Sequence, residues 1–174
     1  KDDNFVEAEQ SYRKALSLKA DYPQARNNYG VLLFRLKRYK EAMEQLDMAA
    51  ADLSYDRREV ALEYVAKIAL MLNDVPKAQT TYERLLRLSP RAIEPAFALA
   101  DLAYQQKNYD EAERYFQRYV RNLAKEPFSP QALLLGIRLA QRHRDINTVA
   151  SYELVLRTRY PQSAEYREYL KMQP

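Results

Sequence analysis

Chemistry needs groups that attack, ligate or move protons, and this chain of 174 residues has few of them. It has no cysteine, and its single histidine is His143. A Ser-His-Asp arrangement would have to use His143, which sits between Arg142 and Arg144 beside a predicted turn. That is the setting of a surface residue, not of a positioned general base. Without cysteine, thiolate metal sites and disulfides are excluded. No Asp-x-Asn-x-Asp-Gly run supplies carboxylates for a hard cation, and Asp2, Asp3, Glu111 and Glu113 read as charges at helix N-termini. Two glycines in the whole chain leave nothing from which to build a phosphate-cradling loop. The sequence thus predicts no catalytic residue, no metal, no cofactor and no small-molecule substrate. What stands out instead is an amide pair, Asn27-Asn28. An Asn side chain both donates and accepts, so it can hold a peptide backbone without reading its side chains.

The elements that position this pair follow from a repeat. Phe5-x-x-Ala8-x-x-x-Tyr12 returns as Tyr39-x-x-Ala42-x-x-x-Leu46, Val75-x-x-Ala78-x-x-x-Tyr82 and Tyr109-x-x-Ala112-x-x-x-Phe116. The alanines are 34, 36 and 34 residues apart. A period near 34 with aromatic, Ala and large apolar positions marks tetratricopeptide helix pairs. The fold class is therefore all-α, a tetratricopeptide-repeat right-handed superhelical solenoid. Such arrays bind partners along an extended surface instead of enclosing a catalytic pocket.

Read this way, residues 1–174 form a single tetratricopeptide-repeat domain. Residues 1–20 are the B helix of a first unit whose A helix is missing, so the chain reads as a fragment of a longer product. The second unit spans 23–54 and opens with Pro23, whose fixed φ suits a first helical turn. The third spans 59–90, with Asn73-Asp74 as turn and N-cap and Pro76 in the next first turn. The fourth spans 93–124, a degenerate fifth spans 130–160, and a helix over 163–172 caps the array. Lys125 to Pro130 is the longest irregular connector. Tyr29, Gly30, Ala42, Ala78 and Ala112 are repeat-packing positions.

Charged residues make up 30% of the chain, with a net charge of +4. Acidic residues interrupt the basic stretches, as in Lys37-Arg38-Tyr39-Lys40-Glu41, which argues against the continuous basic stripe of a nucleic-acid binder. The largest local excess, Arg138, Arg142, His143 and Arg144, is explained by a solvated helix end. No run reaches the roughly 18 apolar residues of a membrane span.

Ala25-Arg26-Asn27-Asn28-Tyr29-Gly30-Val31-Leu32-Leu33 exceeds generic repeat grammar, which prefers Trp where this chain has Arg26. It resembles the signature of the type IV pilus biogenesis and stability family (PilF/PilW), the pilotins of the type IV pilus secretin. Further similarities are Tyr39-x-Glu41-Ala42, Asn73-Asp74 before Ala78-x-x-x-Tyr82, Leu102-Ala103-Tyr104 with Asn108-Tyr109-x-Glu111-Ala112, and the ending Tyr160-Pro161-x-Ser163-x-Glu165-Tyr166. The chain departs from family habit at Phe34, often Cys, at Lys37, often Gly, and at Tyr64-Val65-Ala66, often Asn-Ala-Gly. The resemblance implies a non-catalytic scaffold that promotes outer-membrane localisation and assembly of the pilus secretin. The implied partners are the secretin subunit and the inner leaflet of the outer membrane, reached through an N-terminal lipid absent from these residues. The implied location is the periplasmic face of the bacterial outer membrane. The alternative is a cytoplasmic tetratricopeptide adaptor for another complex.

In such arrays A-helix side chains line the concave surface. The register predicts a partner-binding groove of Asn27, Asn28, Val31, Phe34, Arg35, Lys67, Phe97, Asp101 and Tyr104. The Lys/Arg and Asn positions of the carboxylate clamp hold Val31, Glu63, Phe97 and Asp101, so capture of a chaperone's acidic C-terminus is not expected.

Overall fold

A computed structural model of the chain describes residues 3–124 and 126–173, with side chains from residue 4 onward. Lys1 and Asp2, the side chain of Asp3, and Lys125 of the predicted connector lie outside the described residues. The described residues form ten α-helices and no strand. Their contacts divide into two compact units, Lys1–Pro90 and Arg91–Pro174.

The first unit holds α1 (Asp3–Leu18), α2 (Pro23–Arg35), α3 (Tyr39–Ala51), α4 (Arg58–Met71) and α5 (Val75–Leu88). The second holds α6 (Ile93–Gln105), α7 (Tyr109–Asn122), α8 (Pro130–Arg142), α9 (Ile146–Arg159) and α10 (Ala164–Lys171).

Four hairpins, α2/α3, α4/α5, α6/α7 and α8/α9, turn in the same way. Each A helix ends with one residue in the left-handed region: Lys37 (φ 61°), Asn73 (58°), Lys107 (62°) and Arg144 (56°). The next amide then reaches back five residues, as Arg38 N–H does to Leu33 O at 2.9 Å and Asp74 N–H to Ala69 O at 2.8 Å. Left-handed residue and reach-back bond together form the Schellman termination, which satisfies orphan carbonyls at the helix end. Two of the following B helices, α5 and α9, are then capped by a side chain. The Asp74 carboxylate accepts from Lys77 N–H, and that of Asp145 from Thr148 N–H, each at 3.1 Å. Pro23, Pro76 and Pro130 each fall in a first turn, where no backbone donor is lost.

Packing explains the small residues. Ala42, Ala78 and Ala112 have no exposed surface, and Tyr29 and Gly30 are buried. A Cβ on Gly30 would fall 2.5 Å from Leu46 Cγ, so α2 and α3 approach this closely because position 30 has no side chain. Gly136 does the same on α8, where a Cβ would meet Tyr152 at 2.7 Å and Phe116 at 2.9 Å. Leu133, Leu134, Ile137 and Leu156 of the α8/α9 pair form a core closed by Tyr169 of α10. The Tyr160 hydroxyl donates to Phe128 O at 2.8 Å and ties down the Pro-rich connector.

Two details differ from the simplest sequence reading. Glu113 lies in the second turn of α7, beyond reach of the helix N-terminus, and pairs with His143. The basic cluster is more than a solvated helix end. The Arg142 guanidinium lies 3.4 Å from the Tyr109 ring centroid, and Arg138 pairs with Glu168 while lying 5.8 Å from the centroid of Tyr104.

Candidate protein-binding groove

In the first unit α1, α2 and α4 enclose a groove of about 770 Å³. Phe5, Ala8 and Tyr12 of α1 give it an apolar wall, one turn apart on one helix face. Asn27, Asn28, Val31 and Arg35 come from α2 at the same spacing. Val60 and Tyr64 come from α4, with Arg57 at its N-terminal cap.

The amides are unequal. Asn27 is 2% exposed, and its Oδ1 is buried without a hydrogen-bond partner. Its Nδ2 donates to Asn28 Oδ1 at a long 3.4 Å. Asn28 Oδ1 also accepts from Gln24 Nε2 at 3.0 Å, and the Tyr55 hydroxyl donates to Gln24 Oε1 at 3.3 Å. Tyr55, Gln24 and Asn28 therefore form a chain that orients the pair. A buried carbonyl oxygen left unpaired costs about 1–3 kcal/mol, and such groups are rare in native interiors.

Away from the groove, α1 is fastened to α2 and α3 by one carboxylate. Glu9 accepts from Arg38 Nη1 at 2.7 Å, Arg13 Nη2 at 2.8 Å and the Tyr29 hydroxyl at 2.9 Å. Arg38 also holds Glu41 at 2.6 Å. The hydrogen bond from Arg38, opposed by partial burial and helped by Arg13 and Tyr29, holds the Glu9 carboxyl down at about 2.

Of the residues predicted for a groove, Asn27, Asn28, Val31 and Arg35 share this cavity. Phe34 packs its ring 5.7 Å from Tyr39 and 5.2 Å from Tyr64. The Lys67 ammonium lies 6.0 Å from the Tyr64 ring centroid. Phe97, Asp101 and Tyr104 belong to the second unit. There Phe97 packs on Tyr119 and Tyr104 on Tyr109. Burial raises the Asp101 carboxyl, partly offset by a hydrogen bond from Gln105 at 2.7 Å.

Sequence reasoning did not select Phe5, Tyr12, Tyr55, Arg57 or Tyr64. The first two read as repeat grammar on a B helix. Arg57 and Tyr55 sit in the connector before α4, where no periodicity assigns a face.

The second unit has its own cavity of about 710 Å³ between α7, α8 and α9, floored by Phe116, Leu139 and Tyr152 and rimmed by the Glu113–His143 pair. Among the described residues no cluster of three or more His, Cys, Asp or Glu could hold a metal ion, and no helix is long and apolar enough to cross a membrane.

Known proteins share this architecture. The tetratricopeptide repeat family matches residues 1–62 and 66–127. The type IV pilus assembly protein PilF of Pseudomonas aeruginosa is 35% identical over 162 residues, 93% of this chain. The chain spans 63% of that curated relative. A solved structure described as a functional characterisation of Pseudomonas aeruginosa PilF superposes with a TM-score of 0.84 at 34% identity. That match covers 94% of this chain and 72% of the other. PilW, described as a widely conserved type IV pilus biogenesis factor, superposes at 0.71 with 28% identity, covering 92% of this chain and 73% of its own. The chain belongs to the PilF/PilW family of tetratricopeptide-repeat proteins.

Proposed function

We propose that this chain is a non-catalytic scaffold that binds the secretin subunit of the type IV pilus through the α1/α2/α4 groove and promotes its localisation and assembly at the outer membrane. In this reading the whole protein is held on the periplasmic face of that membrane by an N-terminal lipid outside the 174 residues. Membership of a family whose relatives are named for pilus assembly and biogenesis supports the pilus assignment. The observation that carries the groove is Asn27, an amide oxygen buried and unpartnered in a cavity walled by aromatic rings. A protein gains nothing in stability from that oxygen, whereas a bound peptide N–H would satisfy it. Phe34, Lys67, Phe97, Asp101 and Tyr104 are proposed as further partner contacts along the A helices.

The test is co-purification of the whole protein with its secretin, comparing wild type with Asn27→Ala/Asn28→Ala. Loss of secretin from a variant with an unchanged circular dichroism spectrum is the expected result. Equal recovery would make the amide pair structural, and failure of the wild type to bind would remove the secretin assignment.

A further inference from the structure

The groove has a charge polarity that the proposed function leaves unused. Among the described residues lining it, the charged ones are Arg35 and Arg57, and none is a carboxylate. Both arginines are exposed and neither is in an ion pair among the described residues. Elsewhere in the unit Arg13 and Arg38 hold Glu9, and Lys77 holds Asp47 at 2.7 Å. Arg35 ends α2, where the helix dipole favours a cation. Arg57 has no such local reason. It occupies the N-cap of α4, the positive end of a helix dipole, and makes no capping bond. A cation at a helix N-terminus, beside a second unpaired guanidinium in the same cavity, is matched by an anion arriving from outside.

The amides supply the other half. Asn27 Oδ1 is an acceptor without a donor. Asn28 Oδ1 is taken by Gln24 and Asn27, which leaves its Nδ2 as the uncommitted donor of a residue that lines the groove. One acceptor beside one donor matches the N–H and C=O that a single residue of an extended chain turns to the same side.

Resting on the groove reading above, we infer that the occupant is an extended peptide segment carrying an internal acidic side chain. Its backbone N–H meets Asn27 Oδ1, which a turn of the buried amide brings to the groove, and its C=O meets Asn28 Nδ2. Apolar neighbours seat on Phe5 and Tyr64, and the carboxylate lies between Arg35 and Arg57. A free C-terminus offers the same carboxylate. Val31 and Glu63, however, stand where an end-carboxylate clamp places its basic and amide side chains, so the acidic side chain is the source assigned. Each charge-assisted contact in such a half-open site adds a modest increment, and two of them predict about a tenfold preference for Glu over Gln.

The experiment uses the whole natural protein with two probes. The first is a degenerate library of acetylated, amidated heptapeptides with Glu or Gln at the centre, and a third pool has Gln with a free C-terminus. Binding is read from the side-chain amide signals of Asn27 and Asn28 by nuclear magnetic resonance. The second probe is purified secretin subunit, titrated against wild type, Arg35→Gln/Arg57→Gln and Arg35→Lys/Arg57→Lys. A shift of both amide signals by the Glu pool, about ten times weaker with Gln and with the Gln/Gln variant but retained by Lys/Lys, supports the inference. Equal binding of Glu and Gln pools, binding only of the free C-terminus, or no amide shift because a preceding segment of the protein fills the groove would overturn it. The library alone decides between these outcomes. Failure of secretin to bind beside a Glu-selective library would sink the secretin assignment and leave the acidic specificity standing.

Discussion

Replacing Asn27 by leucine should make the protein more stable and abolish its partner binding. The side chain is 2% exposed, so the substitution exchanges one buried group for another of similar size. Removing the unpartnered Oδ1 recovers about 1–3 kcal/mol of desolvation cost. Leucine adds a few tenths through its better helix propensity. Against this stand the weak 3.4 Å bond to Asn28 and the misfit of a branched terminus in a packed site, up to about 1 kcal/mol. The net gain is about 1–2 kcal/mol, which for a chain of this length corresponds to a rise of roughly 2–8 °C in melting temperature. Urea titration of wild type, Asn27→Leu and Asn27→Ala measures it, with secretin binding assayed on the same preparations. Asn27→Ala leaves a cavity and should lose part of the gain. A leucine variant less stable than wild type by about 1 kcal/mol or more would refute the reasoning, because the amide would then be holding the fold together.

Two further outcomes follow from backbone and packing. Lys37, Lys107 and Arg144 adopt left-handed φ values, which cost about 1–2 kcal/mol for a residue with a Cβ, partly offset by the entropy that glycine loses on folding. Each change to glycine should therefore stabilise by about 0.5–1 kcal/mol in chemical denaturation, while Asn73→Gly should do little because Asn tolerates this region. Gly30→Ala should destabilise by about 1–3 kcal/mol through the clash with Leu46, and Leu46→Val should suppress part of that loss in a double-mutant cycle, whereas additive effects would count against the clash.

The helices were legible from the sequence because their determinants are local and repeated. The aromatic-Ala-aromatic spacing marks the B helices. Asn73-Asp74-x-Pro76 marks a stop and a start within four residues: α4 ends at Met71 and α5 begins at Val75. The amide pair also stood out as a departure from that grammar. Its wall did not. Tyr12 satisfies the same pattern as the buried Leu46, Tyr82 and Phe116, and Phe5 the same as the half-buried Tyr39, Val75 and Tyr109; whether they line a groove depends on what packs across them, which spacing does not encode. Tyr55 and Arg57 lie in a connector lengthened relative to the repeat, where no period assigns a side. Glu113 and His143, 30 residues apart, meet across α7 and α8, and neither residue's neighbours hint at the pairing.

The groove depends on α1 staying seated, and α1 is held by a group that titrates. Glu9 binds Arg38, Arg13 and the Tyr29 hydroxyl, and these partners lower its folded-state ionisation from the ordinary 4.5 to about 2. A carboxyl depressed on folding contributes stability that is fully present above about pH 4.5 and is lost as pH falls toward 2, because the unfolded chain takes up the proton first. Protonating Glu9, or changing it to Gln, removes the charge from three contacts at once, and Arg38 is left to Glu41 alone. Phe5, Ala8 and Tyr12 sit on α1, so the shape of the cavity depends on this fastening although Glu9 does not line it. Between about pH 5 and pH 3 wild-type stability should fall while Glu9→Gln, weaker at neutral pH, falls less. The Glu9→Gln variant should also bind partner more weakly at neutral pH with Asn27, Asn28, Arg35 and Arg57 all intact. Parallel pH profiles for the two proteins would assign the acid sensitivity to other carboxylates. Unchanged binding by Glu9→Gln would show that the groove keeps its shape without this anchor.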